Sequence, residues 1–233
     1  DALTDADGNT AVGYSSLTSD TLGSKSTAIG RSALATQNFT TATDSHNTAV
    51  GYQAGKAITT GDLNTLIGSL AGDALTSGNG NVAVGYNTLG ADTLGDRNVA
   101  LGNHALSSQN FTTTTDAYNV AVGFLTGASI TTGVDNTLIG GLAGDSITTG
   151  GNNVAVGTNA LGSDTKGKKN IAIGNSALGT QNFTTATDSL NIGIGNGAGS
   201  SVTTGIQNTF VGGQAGSSVT SGSNNTFIGL NAG

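Results

Sequence analysis

The chain has 233 residues with 39 Gly and no Pro, Cys, Met or Trp; only 9% are charged, and fourteen Asp against seven Lys and Arg leave a net charge of −7. That balance argues against a nucleic-acid partner, and the missing Cys excludes a disulfide framework and thiolate zinc sites. The absence of Glu and scarcity of Lys speak against helix, no apolar run approaches the roughly 18 residues of a membrane span, and no signal peptide is visible.

One pentad is rewritten along the whole chain, starting at Asn9, Ser26, Asn47, Asn64, Asn81, Asn98, Asn119, Asn136, Asn153, Asn170, Asn191, Asn208 and Asn225. Its second position is Thr, Val or Ile, its third usually Ala, its fourth Val, Ile or Leu, and its fifth always Gly. The spacing runs 17, 21, 17 and 17, a unit of 72 residues that recurs as 9–80, 81–152 and 153–224, with partial coils at 1–8 and 225–233. A repeat of this kind identifies a solenoid before any other reading is attempted. Disorder, the rival for a chain rich in Gly, Ser, Thr and Asn, loses because Val, Ile and Leu return at fixed phase.

Within a pentad such as Asn47-Thr48-Ala49-Val50-Gly51, side chains two and four face one way and side chain three the other, as the period of a strand requires. Five residues are too few for a helix, and the β-branched content fits a strand. Stacking one pentad per repeat predicts an all-β, parallel β-solenoid of thirteen coils, a single repeat array over residues 1–233. Each leading Asn is expected to stack on the next in a side-chain amide ladder. At strand spacing the array would form a rod roughly 60 Å long.

A second apolar element follows each Gly. It reads Ala33-Leu34 early in the unit, then Ala54-Gly55 followed by Ile58-Thr59-Thr60-Gly61, so the large side chain moves while the coil stays apolar. The 21-residue coil adds Gln37-Asn38-Phe39-Thr40-Thr41-Ala42-Thr43-Asp44, repeated from Gln109 and from Gln181. Aligning Phe39-Thr40-Thr41 with Ile58-Thr59-Thr60 places two extra residues on each side of Phe, with Phe39, Phe111 and Phe183 in the core slot of Ile58. The alternative exposes these rings and makes each loop a sugar-stacking ridge, with Gln37, Asn38, Phe39 and Asp44, Gln109, Asn110, Phe111 and Asp116, and Gln181, Asn182, Phe183 and Asp188 as glycan contacts. Three such loops, about 19 Å apart, suit multivalent capture of a repeating glycan. The Thr59-Thr60 column is poorly suited to ice binding, since neighbouring side chains point to opposite faces.

Both faces of the pentad are apolar, and one closed coil buries only one of them. The second face is therefore expected to meet another copy, most simply in a parallel homotrimer. The two ends join in phase, since Gly229-Leu230-Asn231-Ala232-Gly233 followed by Asp1-Ala2-Leu3-Thr4 resembles Leu70-Ala71-Gly72-Asp73-Ala74-Leu75-Thr76. With no polar cap at either end, more solenoid is expected there, from a flanking chain or from head-to-tail stacking.

The run Asn47-Thr48-Ala49-Val50-Gly51-Tyr52-Gln53-Ala54-Gly55, with its Thr-Thr-Gly spacers, resembles the repeats of phage tail-fibre proteins. It is also similar to the β-roll heads of trimeric autotransporter adhesins. The resemblance covers all thirteen coils. It implies left-handed coils, trimers and an extracellular place, on a virion tail or a bacterial cell surface, as a structural shaft.

Chemistry is otherwise sparse. His46 and His104 fall at different coil phases and form no metal pair, and no paired-carboxylate site or Gly-x-Ser-x-Gly elbow is present. Asp5-Ala6-Asp7-Gly8-Asn9 resembles the opening of a calcium loop but lacks the closing acid. Lys166, Lys168 and Lys169 form a basic turn without counterpart in the other units, read as solvent decoration. Sequons stand at Asn38, Asn110, Asn182 and Asn224. No enzyme activity and no cofactor are expected, and a cell-surface glycan is the only small ligand suggested.

Overall fold

The computed structural model describes residues 6–233. Every regular element among them is a β-strand, and the chain is a parallel β-solenoid with one three-residue strand per pentad, thirteen in all. It divides into two compact units, the first ending at Tyr118 and the second running Asn119–Gly233. In the first, strands Thr10–Val12, Thr27–Ile29, Thr48–Val50, Thr65–Ile67, Val82–Val84 and Val99–Leu101 stack in parallel. In the second, Val120–Val122, Thr137–Ile139, Val154–Val156, Ile171–Ile173, Ile192–Ile194, Thr209–Val211 and Thr226–Ile228 do the same.

Register is kept residue for residue: Thr48 lies opposite Thr65, Ala49 opposite Leu66 and Val50 opposite Ile67. The 21-residue coils do not disturb it, since Thr27 still faces Thr48 and Ile171 still faces Ile192. The period of two then sorts the side chains as expected. Ala28, Ala49, Leu66, Ala83 and Ala100 are fully buried, while positions two and four point outward.

The Asn ladder forms inside the coil. The Asn64 backbone N–H donates to Asn47 Oδ1 at 2.9 Å, and Asn64 Nδ2 donates to the Gly78 carbonyl at 2.9 Å. The same pattern joins Asn64, Asn81 and Asn98, and in the second unit Asn119, Asn136, Asn153 and Asn170. It continues there through Asn191, Asn208 and Asn225. Asn9 opens the first unit's series by accepting from Ser26 N–H at 2.7 Å. A short amide is suited to this task because it accepts from the next coil and donates across its own turn at once.

Each strand ends at a Gly for a steric reason. Gly51 has φ 141°, and a Cβ there would press on the carbonyl of Gly68 one coil on. The shift of apolar volume noted in the sequence also has a physical basis. Leu34, Leu89 and Leu106 occupy left-handed turns (φ 48°, 53° and 51°) and fill the core beside a small Ala in the strand. Where the strand brings Leu66 or Leu138 instead, the turn residue is Gly72 or Gly144, and a Cβ there would meet those leucines. Leucine in a left-handed turn is unfavourable by itself, and full burial of its side chain offsets that cost.

Candidate functional site

The three 21-residue coils carry the chain's most elaborate chemistry, and their anchor was not foreseen. The turn N–H of Gln37 donates to Leu34 O as that of Ile58 donates to Gly55 O, and Asn38 N–H donates to Thr59 O. Gln37, not Phe39, therefore occupies the slot of Ile58, and all four additional residues enter between Asn38 and Ser45. The expected placement of two extra residues on each side of Phe is corrected by this pairing.

Gln37 is fully buried, and so is the residue below it in the same column, Asp20. Gln37 Nε2 donates to Asp20 Oδ2 at 2.6 Å, Gly23 N–H donates to Asp20 Oδ1 at 2.9 Å, and Asn47 Nδ2 donates to Gln37 Oε1 at 2.9 Å. The second and third copies rebuild the anchor. Asp92 accepts from Gln109 Nε2 (2.6 Å) and Gly95 N–H (3.1 Å), and Asp164 from Gln181 Nε2 (2.6 Å), Gly167 N–H (3.0 Å) and Phe183 N–H (3.1 Å). A buried carboxylate is tolerable only when such donors surround it. The sequence signal was an Asp-Thr-x-Gly at Asp20, Asp92 and Asp164, each 17 residues before its Gln.

The rings close over this anchor. Phe39, Phe111 and Phe183 are only 5–7% exposed, which corrects the reading of them, and of Gln37, Gln109 and Gln181, as surface contacts for a sugar. What remains outside is polar. Asn38, Asn110 and Asn182 are exposed, each accepting from a Thr hydroxyl of the preceding coil, Thr21, Thr93 or Thr165, at 3.0–3.1 Å. Asp44 pairs with Lys25 (2.5 Å), Asp116 with Arg97, and Asp188 with Lys169 (2.6 Å). The hydrogen bond from Lys25 holds the Asp44 carboxyl below its ordinary pKa. Lys169 thus has counterparts at Lys25 and Arg97, and its reading as decoration unique to one unit is corrected. Each wide coil also gains a second short parallel ladder, Gly95–Asp96 beside Thr115–Asp116 in the middle copy.

The middle loop differs from the others in the residue before its next pentad. Tyr118 stands there, its ring 5.8 Å from the Arg97 guanidinium and its hydroxyl donating to Asp116 at 3.4 Å. His46 and Leu190 hold the corresponding places. His104 lies apart, edge-on to Tyr86 at 5.3 Å. The sequon residues Asn38, Asn110, Asn182 and Asn224 are all exposed.

Two further carboxylates are unusual. Asp73 and Asp145, 72 residues apart, each bury an Oδ1 that has no partner, and burial pushes both carboxyls above their ordinary pKa. Among the described residues there is no enclosed pocket, no group of three His, Cys, Asp or Glu placed to hold a metal, and no helix long and apolar enough to cross a membrane. The candidate calcium loop begins at Asp5, outside the described residues. The chain matches no protein-family model, no curated protein and no solved structure.

Proposed function

We propose that this protein is a non-enzymatic structural shaft of an extracellular or virion fibre, built by parallel association of copies, most simply three. The observation that carries this reading is the outward face of the pentads. Position four is aliphatic on every coil, and Ile29 and Ile67 in the first unit and Ile139, Ile173 and Ile194 in the second are 36–40% exposed. An apolar column repeated coil after coil is the kind of exposed patch that marks an interface. A second copy fits it because its own coils carry the same groups at the same pitch.

The resemblance to tail-fibre and trimeric adhesin repeats supports the same assignment and an extracellular place. The polar, ion-paired loops are then suited to face solvent on such a fibre. Replacing Ile67 and Ile173 by Lys tests the reading. Both side chains point out of the coil, so circular dichroism should be unchanged while the sedimentation coefficient falls to that of a single chain. An unchanged sedimentation coefficient in the double variant would overturn it.

A further inference from the structure

All four tyrosines, Tyr14, Tyr52, Tyr86 and Tyr118, lie in the first unit and are 43–76% exposed, whereas Phe39, Phe111, Phe183 and Phe210 are buried and Phe124, in the second unit, is 56% exposed. Three of the tyrosines form a column. The residue directly after each pentad Gly reads Tyr14, Arg31, Tyr52, Ser69 and Tyr86 on successive coils. Their backbones stack in that order, since Tyr14 O accepts from Ser32 N–H, Arg31 O from Gln53, Tyr52 O from Leu70, Ser69 O from Asn87 and Tyr86 O from His104.

We propose that the Tyr14–Tyr52–Tyr86 column is a stacking platform for an extended β-1,4-linked polysaccharide. Successive rings stand two coils apart, about 9.6 Å at strand spacing. That is too far for the rings to stack on each other. It is close to the repeat of a β-1,4-linked chain, which turns over at each sugar and so offers the same apolar face at every second one. The intervening coils supply polar groups, Arg31 and Ser69, where the alternate sugars present their hydroxyls.

Two of the rings are braced before any ligand arrives. The Arg31 guanidinium lies 5.7 Å from the Tyr52 ring, and His104 meets Tyr86 edge-on. Such bracing lowers the ordering cost of binding. The fold itself does not need the rings. In the second unit the same position is Phe124, Gly141, Thr158, Asn175, Asn196, Gly213 and Leu230, and the coils without a ring there form the same strands in the same register as the one with Phe124. The 72-residue repeat preserves the Asp–Gln anchors through all three copies but carries Tyr14 to Tyr86 and then to Thr158. Aromatic columns also stack unpaired bases, but the net charge of −7 disfavours a polyanion.

The test is calorimetric titration of the full chain with cellohexaose and with chitohexaose, with a dextran oligosaccharide as the α-linked control. Binding of at least one β-linked hexamer and not of dextran is expected. Tyr52→Ala should weaken it about tenfold, a loss of about 1.4 kcal/mol. Tyr52→Phe, which keeps the ring, should bind like the parent, and so should Thr158→Ala. No heat from either β-linked hexamer at millimolar concentration would overturn the proposal, as would unchanged binding by Tyr52→Ala. A Tyr52→Ala variant that changes sedimentation would overturn it too, by placing the column in the seam between copies.

Discussion

Asp92 shows how a single residue decides where the coil widens. Its column elsewhere holds Ile58, Leu75 and Ile130, all fully buried. A carboxylate in that slot is tolerable because Gln109, Gly95 and Phe111 all turn N–H groups toward it. Asp92→Ala removes the acceptor that those donors share and should cost about 3 kcal/mol or more, measured by urea unfolding; a loss below about 1 kcal/mol would contradict the anchor. The ladder makes a similar demand. Asn64→Ala strips the acceptor from Asn81 N–H and a donor from Gly78 O, and a cost of about 2–4 kcal/mol is expected in the same assay. Asp73 and Asp145 act in the opposite sense. Their folded pKa values are raised by burial, so each contributes most favourably below the ordinary carboxylate pKa, and that contribution is lost as pH rises through the folded value. Removing the charge in an Asp73→Asn, Asp145→Asn variant should raise the melting temperature at pH 7 and leave it little changed near pH 3. An equal shift at both pH values would show that ionisation is not the cause.

At the scale of the strand and turn, the phase of the pentad was fully legible. Alternation set Ala49 and Leu66 on the opposite face from Val50 and Ile67, though only the structure shows that the first pair is the buried one, and the amide ladder followed from twelve Asn in one phase. The exchange of Leu34 for Gly55 was visible as a pattern, but its reason was not. Only the left-handed turn brings the two side-chain sites, turn and strand centre, into the same volume. Gly72→Ala should therefore destabilise in spite of its small size, because the added methyl meets Leu66 and Leu75, with about 1–3 kcal/mol lost. Combining it with Leu66→Ala, which alone should cost about 2–5 kcal/mol, should give less than the sum of the two in denaturant titrations. The loop was harder to read. Phe39 was matched to Ile58 because Thr-Thr follows both, and it is buried as that match implies, yet a hydrogen-bonded pair of Asp20 and Gln37 fills the Ile58 column itself. A polar pair in a core slot is invisible to a hydrophobic pattern until its partner, 17 residues away, is known to lie directly beneath it. The ion pairs escaped notice for the same reason, since Lys25, Arg97 and Lys169 share a phase but not an identity.

For the molecule as a whole, the strongest argument comes from what the coils leave uncovered. Closing a coil buries the third pentad position and turns the second and fourth outward, so each additional repeat lengthens an exposed aliphatic column. The ion-paired loops add little to stability, because exposed pairs of this kind are worth at most about 1 kcal/mol each. The proposed association of copies along the outward face would cover the aliphatic column. Sedimentation equilibrium of the 233-residue chain at micromolar concentration tests it most directly. The account predicts one species with three times the 22.6 kDa chain mass, and a folded species of 22.6 kDa across the whole concentration range would contradict it.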